Sequence, residues 1–181
     1  MSVALYYPSC STTLSDYNCS PCPPSEKTRV RSIAFVKNSY TWTNPANPTE
    51  WATAVQNQNA IVIWQTQGSY DGGNVTELTG FGDVPFYNGN RTHTLTIKDP
   101  NAVQNIDFYN DILNSQEYTV VYRTSSYIWL AAAPVIVTPK APVADDINGQ
   151  LTIEVTVKWT APAMPTPYAT PAGIFDRCYI V

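Results

Sequence analysis

The sequence predicts a β-dominated α+β domain: an antiparallel sandwich or barrel with two helices, a long glycine-rich loop and an extended arm at each end. Three observations lead there. Threonine- and valine-rich runs of strand length recur through the middle of the chain. The clearest, QLTIEVTVKWT, places Leu151, Ile153, Val155, Val157 and Trp159 on one face and Thr152, Glu154, Thr156 and Lys158 on the other, as a half-buried antiparallel strand does. Only two stretches carry helical signals, and both termini are proline-rich without any period. At 181 residues one compact domain is the default. The expected organisation is a Cys/Pro-rich arm over 1–28, the β-sandwich domain over 29–160 and a Pro-rich arm over 161–181.

Taken in order, TRVRSIAFVK (28–37) alternates and reads as a strand. NPTEWATAVQNQN starts a short helix, with Asn47 as N-cap, Pro48 at the first helical position and Glu50 at the third, a capping-box arrangement. Trp51, Ala54 and Val55 give that helix one apolar face. AIVIWQT (60–66) is an apolar, β-branched run that reads as a central strand. GSYDGGNVTELTGFGD (68–83) holds five of the eight glycines and predicts a long loop or hairpin tip. RTHTLTIK (91–98) alternates again. Asp99-Pro100 is expected to open a second helix reaching about Ser115, with Val103, Ile106, Tyr109, Ile112 and Leu113 at helical spacing. EYTVVYRT, YIWLAAA and PVIVTP (117–139) read as strands broken by small turns. APAMPTPYATPAG (161–173) has four prolines, which exclude helix and central strand and leave an arm lying across a surface. The apolar ending IFDRCYIV is expected to dock.

Composition narrows the function classes. Only 13% of residues are charged and 44% are hydrophobic. A surface this poor in charge suits a subunit flanked by others, since burying charge is costly; it also suits a stable β-protein with a Thr/Asn coat. The net charge of −4 argues against nucleic-acid binding. Lys27, Arg29 and Arg31, the densest cationic cluster, merely alternate along a strand. No apolar run approaches the roughly 20 residues that span a bilayer. MSVALYYPSC lacks the basic region and apolar core of a secretory signal, so the chain is expected to stay where it is made or to leave within a larger particle.

The cysteines are the strongest candidate constellation. Cys19 and Cys22 form a C-x-x-C with Pro21 and Pro23, Cys10 lies nine residues earlier, and Cys178 stands at the other end. Four thiolates suit a tetrahedral structural zinc; two disulfides and free packed thiols are the rival readings. Zinc or disulfides would tie the N-terminal arm to the C-terminal one, in a structural role with no open position for substrate. His93 is the only histidine, on the side of Leu95 and Ile97, and reads as a partly buried, hydrogen-bonded strand residue. A Ser/His/Asp triad has no supporting motif. Asp71, Glu77, Asp83, Asp145 and Asp146 are the carboxylates from which a glycosidase pair would be drawn, yet turn capping explains most of them. DGGNVTE does not match calcium-loop spacing, and three N-x-S/T sequons at Asn18, Asn74 and Asn90 are expected by chance in so Thr- and Asn-rich a chain. Five tryptophans and twelve tyrosines serve two ends. Trp51, Trp64 and Trp159 fill the core, while Trp42, Trp129, Tyr70, Phe81, Tyr168 and Phe175 are candidate interface anchors, aromatics being enriched there.

Two stretches, TRVRSIAFVKNSYTWTNPANPTEWATAV and THTLTIKDPNAVQNIDFYNDILNSQEYTVVYRT…PVIVTPKAPVADDINGQLTIEVTVKW, together resemble small structural proteins of tailed bacteriophages that infect Bacteroidetes, the crAss-like group among them. Their order (strand, helix with FYNDIL, strand, PVADDI turn, final amphipathic strand) is also similar to the layout of phage tail-tube subunits, in which a β-sandwich flanked by a helix assembles into hexameric rings. The resemblance covers about residues 28–160. The cysteine arm and Pro-rich tail depart from a plain tail-tube pattern and favour a capsid auxiliary (decoration) protein. The resemblance implies a virion protein assembled in the host bacterial cytoplasm. It would be non-enzymatic, oligomeric with the major capsid protein or with its own copies, and without nucleic-acid or membrane partners. A tail-tube or neck ring subunit is the alternative; a carbohydrate-binding or adhesion module using exposed Trp and Tyr is the second.

Overall fold

The computed structural model describes residues 26–79, 85–101, 103–113, 115–143 and 149–177. It is an antiparallel two-sheet sandwich with two helices, and the sheets do not close into a barrel. The first sheet contains β1 (Ser32–Lys37), β2 (Ala60–Ile63), β6 (Tyr118–Arg123), β7 (Tyr127–Leu130) and β10 (Thr166–Ala169), in the order β10-β7-β6-β1-β2. The second contains β3 (Gln67–Tyr70), β5 (Pro85–Asp99), β9 (Ile153–Ala161) and β8 (Ile136–Lys140) in the order β3-β5-β9-β8, with β4 (Asn74–Thr79) also paired to β5. The helices are α1 (Pro48–Gln56) and α2 (Ile106–Leu113).

The sheets enclose a core built by period-2 alternation. Ile33 and Phe35 of β1, Val120 and Tyr122 of β6, Leu95 and Ile97 of β5, and Ile153, Val155, Val157 and Trp159 of β9 point inward, and Tyr109 and Ile112 of α2 join them. β9 alternates as its sequence predicts, except that Leu151 precedes the strand and is exposed. β1 differs: it is buried on both faces. Its other residues, Ala34 and Val36, lie in a second core with Trp51, Ala54 and Val55 of α1 and with Ile174 and Phe175 of the C-terminal segment. That helix and that segment cover the outer face of the first sheet, which explains why SIAFVK is apolar almost throughout.

Several local expectations are corrected by long-range contacts. β2 is an edge strand, not a central one; its apolar character answers to α1, which packs on it. Asn47 does cap α1, accepting from Thr49 N at 2.9 Å. Glu50 does not close a capping box, however; its carboxylate accepts from the Thr43 and Asn44 amides at 2.7 and 2.8 Å and so pins the chain entering the helix. Asp99 ends β5 and does not open a helix, which begins only at Ile106. Its carboxylate accepts from Asn101 N at 2.8 Å and from the Tyr109 hydroxyl at 2.8 Å, joining strand, loop and helix. Burial, then the Asp99 carboxylate, holds the Tyr109 pKa well above the usual phenol range. The glycine-rich stretch is mostly strand: β3 and β4 run antiparallel to the two halves of β5, broken at Asp71-Gly72-Gly73, where both glycines have positive φ. The Pro-rich tail supplies an edge strand, β10, with Pro167 opposite Trp129 of β7; an edge is where a residue without an N–H is tolerated.

Candidate functional site

The residues singled out from sequence fall into three places. Beneath the Asp71–Gly73 bulge, His93 is fully buried. Its Nε2 lies 3.4 Å from the Ala161 carbonyl, which can only accept, so Nε2 carries the proton; Nδ1 then accepts from the Tyr70 hydroxyl at 2.6 Å. Burial, then the Asp71 carboxylate, pushes the Tyr70 pKa up to about 12, with Arg91 opposing. Tyr70 therefore remains a donor at neutral pH. The His93 ring stacks on Trp159 (centroids 5.0 Å) and Trp159 on Tyr70 (5.8 Å), and the series continues through Tyr122 (5.1 Å) to Trp129 (6.2 Å). This aromatic ladder crosses from the second sheet to the first. Asp71 is a bulge cap: it accepts from Gly73 N, Thr94 N and Asn74 Nδ2. Geometry of this kind holds strands in register and gives His93 no access to a substrate.

The second place is the first sheet's outer face. Trp42 lies half-buried on Trp51 (4.3 Å), Trp51 meets Phe175 (4.9 Å), and Trp51 Nε1 donates to the Pro45 carbonyl at 2.7 Å. Phe175 is only 1% exposed, so this candidate interface anchor packs inside its own chain and docks the C-terminal segment. Tyr168 and Trp129 are half-buried on the neighbouring strands β10 and β7. Trp129 Nε1 donates to Thr124 Oγ1 at 3.1 Å. Trp64 is half-buried at a groove, outside the core expected for it from sequence.

The third place is the end of β6, where both arms are anchored on consecutive residues. Arg123 pairs with Asp176 and donates to the Phe175 carbonyl. One oxygen of Glu26 accepts from Thr124 Oγ1 (2.6 Å), Ser125 N (2.6 Å) and Ser126 N (2.7 Å). Burial alone would raise the Glu26 pKa; the bonds from Thr124, Ser126 and Ser125 outweigh it and bring it from 4.5 down to about 2. The folded state thus prefers the carboxylate. The stability this contributes is complete above pH 4.5 and is lost as pH falls toward 2. Thermal melting across that window should show a steeper decline for the native chain than for Glu26→Gln. Parallel declines would mean that Glu26 does not anchor the arm.

Cys10, Cys19, Cys22 and Cys178, together with Phe81, Asp83, Asp145 and Asp146, lie outside the described residues. Among the described residues no group of three or more His, Cys, Asp or Glu side chains could hold a metal ion, and no helix is long and apolar enough to cross a membrane. Sequence reasoning missed an apolar face. Val103, Ile106 and Leu113 are exposed on and before α2, Ile136 on β8, and Val143 and Leu151 in the flanks of the β8–β9 connection. α2 packs beside β8, and β8 is an edge strand, so the exposed aliphatic residues of these two elements lie on neighbouring parts of the fold. The exposed positions of α2 are detectable in sequence only once the buried pair Tyr109 and Ile112 fixes the helix's inward face.

The fold and these sites define a class: an antiparallel β-sandwich with a helix at one sheet edge and both arms tied to a single strand end. Comparison with family models, with curated proteins and with solved structures gives no match.

Proposed function

We propose that this chain is a non-enzymatic structural subunit of a bacteriophage virion, an auxiliary protein on the capsid that binds and stabilises the assembled particle. The observation that carries the reading is the exposure of aliphatic side chains on α2 and β8, Ile106 at 48%, Leu113 at 47% and Ile136 at 58%, with Val103 and Val143 exposed in the segments beside them. Contiguous exposed aliphatic surface marks places that another protein covers, and α2 lies directly beside β8. The neighbour would be the major capsid protein or another copy of the chain. Many copies, each burying modest area, stabilise a lattice through avidity. A tail-tube or neck ring subunit is the second reading, favoured by the placement of α2 against the edge of the sandwich.

A structural zinc or disulfide staple among Cys10, Cys19, Cys22 and Cys178 belongs to the same proposal. Glu26, four residues from Cys22, and Asp176, two residues from Cys178, are anchored on consecutive residues at the end of β6. An extended chain spans at most about 3.6 Å per residue, so Cys22 and Cys178 are both within reach of that end.

Sizing by light scattering and negative-stain microscopy, with cosedimentation on assembled capsid shells, tests the proposal. The capsid reading expects a small soluble species that pellets with shells, and pelleting should be lost in Ile106→Lys/Leu113→Lys. Rings or tubes of the chain alone would support the second reading. A monomer that neither assembles nor pellets would overturn both. Zinc and free-thiol content of the same preparation decides the staple: four free thiols without metal would remove it.

A further inference from the structure

The cations that alternate just before β1 form one wall of a groove. Val30 is buried and exchanges both backbone hydrogen bonds with Gly68 (3.1 and 3.2 Å), while Arg31 N donates to Arg123 O (3.0 Å) and Thr66 N to Arg31 O (3.1 Å). The segment 29–31 therefore bridges the two sheets with its backbone pinned and the Arg29 and Arg31 side chains exposed. Between them and Lys98 lies a hollow of about 870 Å³, lined also by Trp64, Thr66 and Arg123. It concentrates four of the chain's ten cations against one carboxylate, Asp176, which Arg123 engages. Lys98 pairs with Glu154 at 2.8 Å. Arg29 and Arg31 make no ion pair among the described residues. Thr66 is 5% exposed, and among the described residues neither its buried hydroxyl nor the buried Arg123 Nε has a hydrogen-bond partner.

Shape and charge select the ligand. A second hollow of about 460 Å³ shares Arg29, Gln67 and Lys98 with the first and crosses the outer face of β3, β5 and β9 past Ser69, Thr96 and Thr156. Two hollows that share three wall residues suit an extended chain better than a compact anion. The trough's free cations are two, on alternate residues of an extended segment and so about 7 Å apart, and two carboxylates also line it, Asp176 in the first hollow and Glu154 in the second, each paired with a cation. A nucleic-acid strand, with a charge on every nucleotide, would meet those carboxylates. A peptide strand with two acidic side chains at positions i and i+2 would place them on the arginines, whose forks recognise carboxylates well, and its backbone against the Gln, Ser and Thr side chains.

We infer that this trough binds an extended acidic segment of a neighbouring protein chain, through Arg29 and Arg31. The inference rests on the assembly reading and names a contact separate from the apolar face. Fluorescence anisotropy with a labelled Asp-Thr-Asp-Thr-Asp peptide tests it, with the Asn-Thr-Asn-Thr-Asn peptide and a single-stranded oligonucleotide as comparisons. The aspartate peptide should bind, weaken as salt rises, and bind roughly tenfold or more weakly to Arg29→Glu/Arg31→Glu, which should melt as the native chain does because both side chains are exposed. Equal binding of the two peptides, an unaffected double variant, or tighter binding of the oligonucleotide would each overturn it. Peptide binding by a chain that neither assembles nor pellets with shells would uphold the trough and remove the assembly reading. Assembly without peptide binding would do the reverse.

Discussion

Trp51→Ala is expected to destabilise the domain by about 3–5 kcal/mol, the usual range for emptying a fully buried aromatic site. For a protein of ordinary stability, about 5–15 kcal/mol, that is a large share of the whole. Trp51 is fully buried at the centre of the second core, with Trp42 on one side and Phe175 on the other. Its loss removes the surface on which the C-terminal segment docks and strands the Pro45 carbonyl, which now accepts from the indole at 2.7 Å. Urea unfolding checks the magnitude. Limited proteolysis checks the mechanism, because residues 170–177 should be cut sooner in the variant. A midpoint close to that of the native chain would show that α1 and the C-terminal segment do not depend on this ring.

Gly73→Ala should cost about 2–5 kcal/mol, the sum of a left-handed backbone penalty and an overpacked core. Gly73 has φ +82°, and an added Cβ would lie 2.5 Å from His93 Nδ1 and 2.6 Å from Cε1. The ring cannot retreat, since it is hydrogen-bonded to Tyr70 and Ala161 and stacked on Trp159. Gly72 provides the control. Its φ is +85°, but among the described residues nothing beyond its own chain neighbours lies within 4 Å of the point a Cβ would occupy there, so Gly72→Ala should cost only the backbone part, about 1–2 kcal/mol. The difference between the two variants in thermal or urea unfolding isolates the clash. Equal losses would mean that the bulge shifts freely and that the aromatic ladder is not rigid.

Much of the secondary structure was legible because its signals are local. The alternation of Ile153, Val155, Val157 and Trp159 and the Asn47-Pro48 helix start need only the spacing of residues along the chain, and both hold. Where the signal was local but its target remote, the reading slipped. Glu50 stands where a capping box needs it, yet it binds Thr43 and Asn44 instead. AIVI is as apolar as a central strand yet lies at an edge; its apolar character comes from α1, which packs against it, and face burial says nothing about how many strands flank it. Asp99-Pro100 looks like a helix start but closes a strand, since the Tyr109 hydroxyl ten residues on claims the carboxylate. The candidate site was less legible. Arg29 and Arg31 were visible as a cluster, but nothing in their spacing reveals that Lys98 and Arg123 face the same hollow.

Short-range signals were enough to foretell antiparallel strands, two helices, few charges and proline-rich ends, since periodicity, proline and capping act over a few residues. Which strands are edges, that β1 is covered on both faces, that His93 is locked beneath a glycine bulge, and that Glu26 and Asp176 meet consecutive residues of one strand end become visible in the folded molecule alone. Each of these joins residues far apart along the chain, Glu26 and Ser125 by 99 positions. Such contacts depend on how whole sheets stack and bury their apolar faces, a property no short stretch of sequence carries.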